Sequence, residues 1–219
     1  MTPERFAKLR QVLAARQPDL TVLMENVHKS HNIAAVLRTC DAVGIFEVHG
    51  ISHEGEIPRH HMVSGGARKY VRTHLHNDVA SACAVLKASG HQLVAAHLTE
   101  TAVDYRQVDY TQPTALILGS ELWGVSQAAA EAADSHVVIP MHGVVASLNV
   151  SVAAAILLYE ARNQRQAADM YAECRITPEV FEATLFEWSH PKIARRCRLQ
   201  GIPYPPLTDD GDLARNPFE

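Results

Sequence analysis

Apolar residues at Phe6, Leu9, Val12 and Leu13 recur at helical spacing, so residues 2–15 read as an amphipathic helix stopped by Pro18. Beyond it, short apolar runs alternate with helical patterns. Strands are expected at 21–27, 46–52, 69–76, 92–97, 115–118 and 136–139. Helices are expected from an Asn32 cap to Val43, ended by Gly44, from Asp78 to Ser89, closed by Gly90, and over 127–133. Residues 28–31 form a loop, and 53–67, broken by Pro58, Gly65 and Gly66, an irregular one. Several strands are continuous apolar runs, as in a parallel sheet covered on both faces. The expected fold class is α/β with a mostly parallel sheet, flanked by N- and C-terminal helices.

The stretch from Ile139 to Glu160 is the most specific. A strand cut off by Pro140 leads through a loop containing Gly143 to Ser147-Leu-Asn149 and a helix. Ser147 and Asn149 are both good N-cap types. From Val150 to Ala161 only Ser151, Tyr159 and Glu160 carry polar atoms. A helix apolar all round is buried on all sides, by its own core and by something else, such as a second subunit. A polar loop at a strand end and a helix start is a place for a ligand.

The chain has 219 residues and 47% hydrophobic residues, enough for one α/β domain with a sizeable core. No apolar run reaches membrane-span length, and the polar start Met1-Thr-Pro-Glu-Arg5 lacks a signal-peptide core. The four cysteines, Cys40, Cys83, Cys174 and Cys197, are widely spaced, which fits reduced cytosolic thiols. A net charge of −4 argues against a nucleic-acid binder, but basic residues cluster at both ends. Arg5, Lys8, Arg10 and Arg16 lie in the first helix, and Lys192, Arg195, Arg196 and Arg198 in the stretch 190–200. By charge alone they read as solvated helix faces; together they could form a polyanion footprint.

Three polar loops follow strands: residues 28–39, Gly119-Ser-Glu-Leu-Trp-Gly124, and the loop before Asn149. Val125-Ser126 stands where a P-loop needs Lys-Ser/Thr, so NTPase chemistry is disfavoured. The thirteen histidines form no H-E-x-x-H, and no G-x-S-x-G marks a serine hydrolase. Taken singly, Arg38 is an exposed arginine, Asn32 an N-cap, Glu121 a cap or ion-pair partner, and Trp123 a packing residue. In order, however, Asn32 to Thr39, Leu118 to Gly124 and Ile139 to Ala153 resemble the three signature motifs of the SpoU/TrmH branch of SPOUT methyltransferases. The resemblance extends to Arg16-Gln-Pro-Asp-Leu-Thr-Val22, Val27-His-Lys29 and Gly201-Ile-Pro-Tyr-Pro205, and is to tRNA-modifying members.

That resemblance implies a deep trefoil knot in the C-terminal part of the sheet, a homodimer with the knots facing, and a cytoplasmic enzyme with no membrane segment. It implies three regions: a basic N-terminal helix at 1–20, a catalytic domain at 21–162 and a helical RNA-binding extension at 163–219. The implied cofactor is S-adenosyl-L-methionine, leaving as S-adenosyl-L-homocysteine, with no metal. Its pocket would be lined by Ala96, His97, Leu98, Gly119, Ile139, Met141 and Leu148. The implied reaction is ribose 2′-O-methylation of tRNA, at guanosine 18 of the D-loop. Ribosomal RNA, another tRNA position, or a non-catalytic RNA-binding module are the alternatives. With only one helix before the first strand, no extra N-terminal RNA-binding domain is visible, which favours tRNA.

The implied catalytic residues are Arg38, Asn32, Glu121, Ser147 and Asn149. A guanidinium stays protonated, so Arg38 is expected to hold a phosphate and the forming alkoxide across the dimer, while a phosphate oxygen or water takes the proton. Asn32 and Glu121 would hold Arg38 and the ribose, and Ser147 and Asn149 would shape the loop as caps. Arg5, Lys8, Arg10, Arg16, Lys192, Arg195, Arg196 and Arg198 would bind tRNA.

Overall fold

The computed structural model describes residues 1–51, 69–120 and 123–218. The expected loop at 53–67 and the site candidate Glu121 lie outside them. The chain divides into two compact units, Pro18–Met170 and the paired termini Met1–Gln17 with Tyr171–Glu219.

In Pro18–Met170 the alternating pattern becomes seven strands: β1 (Leu20–Met24), β2 (Glu47–Ile51), β3 (Arg72–His76), β4 (Gln92–Ala96), β5 (Val103–Asp104), β6 (Thr114–Leu118) and β7 (Ser135–Val138). They form one sheet in the order β3-β2-β1-β6-β4-β7-β5, every pairing parallel. β1 and β6 are buried along their whole length, as expected of largely apolar central strands in a parallel sheet. Successive side chains point to opposite faces. Leu20, Val22, Leu116 and Val94 meet α2 (Ser30–Ala42) and α5 (Val150–Ala167), while Leu23, Ala115, Ile117 and Leu93 meet α3 (Val79–Ala88) and α4 (Gln127–Ala132). Each fully buried Val or Leu contributes about 1.5–3 kcal/mol. The helix ends follow the turn chemistry: Asp78 caps α3 at Ser81 N, and Gly44 and Gly90 take φ 86° and 84° just past α2 and α3.

Several expectations are corrected. α2 begins at Ser30 with Lys29 at its cap position, so Asn32 lies inside the first turn and is no cap. β1 stops at Met24 rather than 27, because Asn26 turns the chain with φ 54°. The two-residue β5 was not foreseen, being too short to carry any periodicity. Helix α5 continues past Arg162 to Ala167. The polar residues there are helical because their heads serve backbone. Gln164 Nε2 donates to Val108 O (3.1 Å), and its Oε1 accepts from Tyr110 N (2.9 Å). Arg165 is wholly buried, bonded to Tyr110 O (2.8 Å) and Gln112 O (3.0 Å) and paired with Asp19 (2.6 Å). Burying a guanidinium is tolerable only with such partners.

At the β2–β3 edge, Glu47, His49, His74 and His76 share one face. His49 Nδ1 lies 2.8 Å from His76 Nε2, and His74 Nε2 lies 3.0 Å from Glu47 Oε2. Burial, then the neighbouring His74 and His76, push the His49 imidazole down to about 4. The bond to Glu47 raises His74. A depressed histidine stays neutral in the fold but protonates in the unfolded chain, so its contribution to stability is lost as pH falls from about 6.5 to about 4. The full shift corresponds to about 3 kcal/mol. His74 acts in the opposite sense, its stabilisation being present at low pH and lost as pH rises through its raised value. Denaturation midpoints measured against pH are therefore expected to decline less steeply below pH 6.5 in His49→Phe than in the wild type.

The second unit pairs the termini. α1 (Pro3–Ala14), capped by Thr2, packs on α6 (Pro178–Ser189), which packs on α7 (Pro191–Gln200). Phe6, Leu9, Leu13, Leu185 and Phe186 are buried there. Gly211 takes φ 81° where a Cβ would strike the Phe6 ring, so the tail needs glycine at that point. Arg16, expected on an RNA-binding surface, is 0% exposed, with its guanidinium 5.3 Å from the centre of the Trp188 ring. It is a packing residue of this unit.

Candidate active site

The carboxyl ends of β4 and β7 and the start of α5 enclose a pocket of about 440 Å³. Of the residues expected around a cofactor, Ala96, His97, Leu98, Ile139, Met141 and Leu148 line it, as does Ser147; Gly119 does not. Adjacent parallel strand ends are where an α/β sheet opens a crevice. Val137, Val138, Pro140, Ala146, Ala153 and Leu157 complete the lining. Ala153 and Leu157 are one helical turn apart, a signal available in the sequence but masked by the helix being apolar throughout.

The pocket walls are mostly carbon. Its polar capacity lies in the backbone of residues 140–148, which among the described residues makes no backbone hydrogen bond. An amide-rich loop beside an apolar slot suits a flat heteroaromatic ligand with donors and acceptors on its edge.

Asn149 caps α5; Ser147 does not. Asn149 Oδ1 accepts from Ser151 N (2.9 Å) and Ser151 Oγ (2.6 Å), leaving Nδ2 to donate to Asn32 Oδ1 at 3.2 Å. Asn32 is 2% exposed. The two asparagines thus tie the first turn of α2 to the first turn of α5. Arg38 is six residues further along α2, about 120° around its axis at 3.6 residues per turn. It is exposed and makes no hydrogen bond or ion pair among the described residues. Asn32 therefore does not hold Arg38 within one chain.

After β6, Gly119 opens a tight turn. Ser120 N and Gly124 O, and Gly124 N and Ser120 O, bond at 2.9 Å. A Cβ on Gly119 would overlap the backbone of Gly124 and Val125, so only glycine fits. Gly124 has φ 66°. Trp123, whose N–H donates to Ser120 Oγ, is 86% exposed, so it is not a packing residue.

The basic candidates Arg5, Lys8, Arg10, Lys192, Arg195 and Arg196 are exposed on α1 and α7, helices of one compact unit. Arg196 lies 3.8 Å over the Phe218 ring, and Arg198 pairs with Glu187 at 2.8 Å. Among the described residues no cluster of side chains could hold a metal ion, and no helix is long and apolar enough to cross a membrane.

Sequence comparison decides the lineage. The pattern of the SpoU rRNA Methylase family matches residues 19–159, and that of the SpoU rRNA methylase C-terminal region matches 163–216. The chain belongs to the SpoU methylase family. A SpoU relative, the tRNA (guanosine(18)-2′-O)-methyltransferase of Escherichia coli K12, is 44% identical over 97% of this chain and 94% of its own. The crystal structure of the Aquifex aeolicus TrmH/SpoU tRNA modifying enzyme matches with TM-score 0.81 and 39% identity, covering 87% of this chain and 97% of that one. The SpoU methyltransferase AviRb of Streptomyces viridochromogenes, solved in complex with the cofactor AdoMet, matches with TM-score 0.60 and 30% identity over 69% of this chain and 62% of that one.

Proposed function

We propose that this SpoU methylase transfers a methyl group from S-adenosylmethionine to the ribose 2′-hydroxyl of guanosine 18 in tRNA. The observation that carries the reading is the convergence of Ala96, His97, Leu98, Ile139, Met141, Ser147 and Leu148 on one pocket. Its volume lies within the range of small-molecule sites, about 300–1,000 Å³. Its apolar walls and the open backbone of 140–148 fit an adenosine. The AdoMet-bound relative and the tRNA-modifying relative support cofactor and substrate.

Bound there, S-adenosylmethionine supplies a methyl on a sulfonium centre and leaves as S-adenosylhomocysteine. The chain's own work is placement. In-line positioning of hydroxyl oxygen and methyl carbon is worth several powers of ten in rate. Asn149 fixes the loop and holds Asn32. Arg38, always protonated, holds a backbone phosphate and the developing charge on the 2′-oxygen. The proton passes to a phosphate oxygen or water. Asn32 and Glu121 hold the ribose.

The reading includes a homodimer and a knot. In support of the first, Val152 and Tyr159 on α5 are 46% and 48% exposed in a single chain, an apolar face awaiting cover. Arg38, which does not line the pocket of its own chain, would then reach the partner's. In support of the second, β7 inserts between β4 and β5, both earlier in the chain.

Arg5, Lys8, Arg10, Lys192, Arg195 and Arg196 form the tRNA surface. Neutralising Arg195 and Arg196 together is expected to weaken tRNA binding and to flatten the plot of log affinity against log salt by about one to two units; filter binding over a salt series measures it. Transfer of labelled methyl from S-adenosylmethionine to unmodified tRNA tests the activity, and absence of transfer refutes it.

A further inference from the structure

Glu25 has no assigned part in this site, yet its environment is unusual. It is 1% exposed at the carboxyl end of β1, a central strand. Among the described residues no cation pairs with it. Instead Glu25 Oε2 accepts from Ser126 N at 2.9 Å, across 101 residues of chain. Its own N–H donates to Leu118 O at 2.8 Å, extending the β1–β6 ladder by one bond. Burying a carboxylate without a cation costs several kcal/mol unless hydrogen bonds compensate. A neutral residue could fill the same volume without that cost.

What Glu25 holds is the exit of the Gly119–Gly124 turn. The entrance is fixed by close backbone approach at Gly119, and its two arms are joined by the Ser120–Gly124 bridge. The exit, Val125-Ser126, leads into α4, whose cap is Ser126 itself. On its other side Glu25 adjoins Asn26, whose φ of 54° turns the chain toward α2. Glu25 thus stands at the joint between the strand that leads to Asn32 and Arg38 and the turn that carries Glu121 and Trp123.

We propose that Glu25 is a positioning residue for the methyl-transfer site: its carboxylate clamps Ser126 N and so fixes the end of the Gly119–Gly124 turn that carries Trp123. The inference rests on the proposed methyltransferase reading. Glu25 touches neither reactant; it acts through the turn. The cofactor pocket, built from β4, β7 and the start of α5, does not include it.

The test compares Glu25→Gln, which keeps an acceptor oxygen, with Glu25→Ala and the nearly isosteric Glu25→Leu, which do not. Each is assayed for kcat and KM with tRNA, for S-adenosylmethionine affinity by calorimetry, and for Tm. Anisotropy of Trp123 is followed in a Trp188→Phe background, where it is the remaining tryptophan of the two. The expected result is a 10- to 100-fold fall in kcat for Ala and Leu, with cofactor affinity within threefold of wild type. Trp123 anisotropy falls in both, and Gln restores rate and anisotropy to within threefold and to the wild-type value. Three results overturn the proposal: unchanged kcat in Ala and Leu, cofactor affinity falling in step with kcat, or Gln as impaired as Ala. Failure of the wild type to methylate tRNA while still binding S-adenosylmethionine overturns the methyltransferase reading instead, and the anisotropy comparison still decides the clamp.

Discussion

Arg38→Ala is expected to lower methyl transfer to tRNA at least about 100-fold, the usual scale for removing one donor aimed at developing charge. S-adenosylmethionine binding should be unchanged, because Arg38 is not among the residues lining the pocket. It is exposed on α2 and makes no hydrogen bond or ion pair among the described residues, so its loss leaves no buried partner stranded. Folding stability should therefore move by less than about 0.5 kcal/mol. Arg38→Lys separates two explanations. A planar fork that grips a phosphate and an alkoxide together is not reproduced by an ammonium. Lysine should then recover little of the rate; near-normal activity would show that a point charge suffices. Single-turnover kinetics with saturating cofactor, alongside calorimetric cofactor affinity, give both quantities.

Gly119→Ala should be the most damaging small substitution in the site. The added methyl would occupy space held by the backbone of Gly124 and Val125, and backbone cannot swing aside as a side chain does. Opening the turn breaks the paired Ser120–Gly124 bonds and drags the Glu25–Ser126 contact with it. Overpacking of this kind costs about 1–3 kcal/mol. In a chain of this size that lowers Tm by about 2–12 °C. Transfer activity should fall by about 100-fold or more, since Trp123 rides on the displaced turn and Gly119 and Gly124 bound the motif that the methyltransferase reading places at the site. Gly143→Ala is the stability control: a Cβ there meets nothing within 4 Å, and Tm should stay put. Thermal melts and initial rates of the two variants make the comparison.

The sheet and its pocket were readable because they rest on repeated, local signals. Apolar runs at 93–96, 115–118 and 137–139 mark strands of a covered parallel sheet, and Pro140 marks where one ends. Ala96, His97, Leu98, Ile139, Met141 and Leu148 follow from the motif resemblance, and the structure gathers them. What stayed hidden depends on distant partners. Arg16 and Arg165 look like surface cations until Trp188 and the 108–112 backbone are in place around them. Asn32 has the right chemistry for a cap, but the helix starts two residues earlier and the amide turns to Asn149 instead. Glu25 follows a strand as any polar terminator would; its burial against Ser126 comes from pairing β1 with β6, which no local pattern encodes. The all-apolar helix was read as covered on every side. Within one chain Val152 and Tyr159 are open, the face that the proposed dimer would cover.

The most direct test uses an unmodified tRNA transcript, the purified protein and methyl-labelled S-adenosylmethionine, followed by alkaline hydrolysis and nucleotide mapping. A 2′-O-methyl ribose cannot cyclise on its phosphate, so a methylated position survives alkali as a dinucleotide. The expected result is label in a single alkali-resistant dinucleotide whose 5′ nucleoside is guanosine 18, and none in a transcript carrying a 2′-deoxyguanosine there. Label in a base, at another ribose, or in no tRNA product at all would contradict the account.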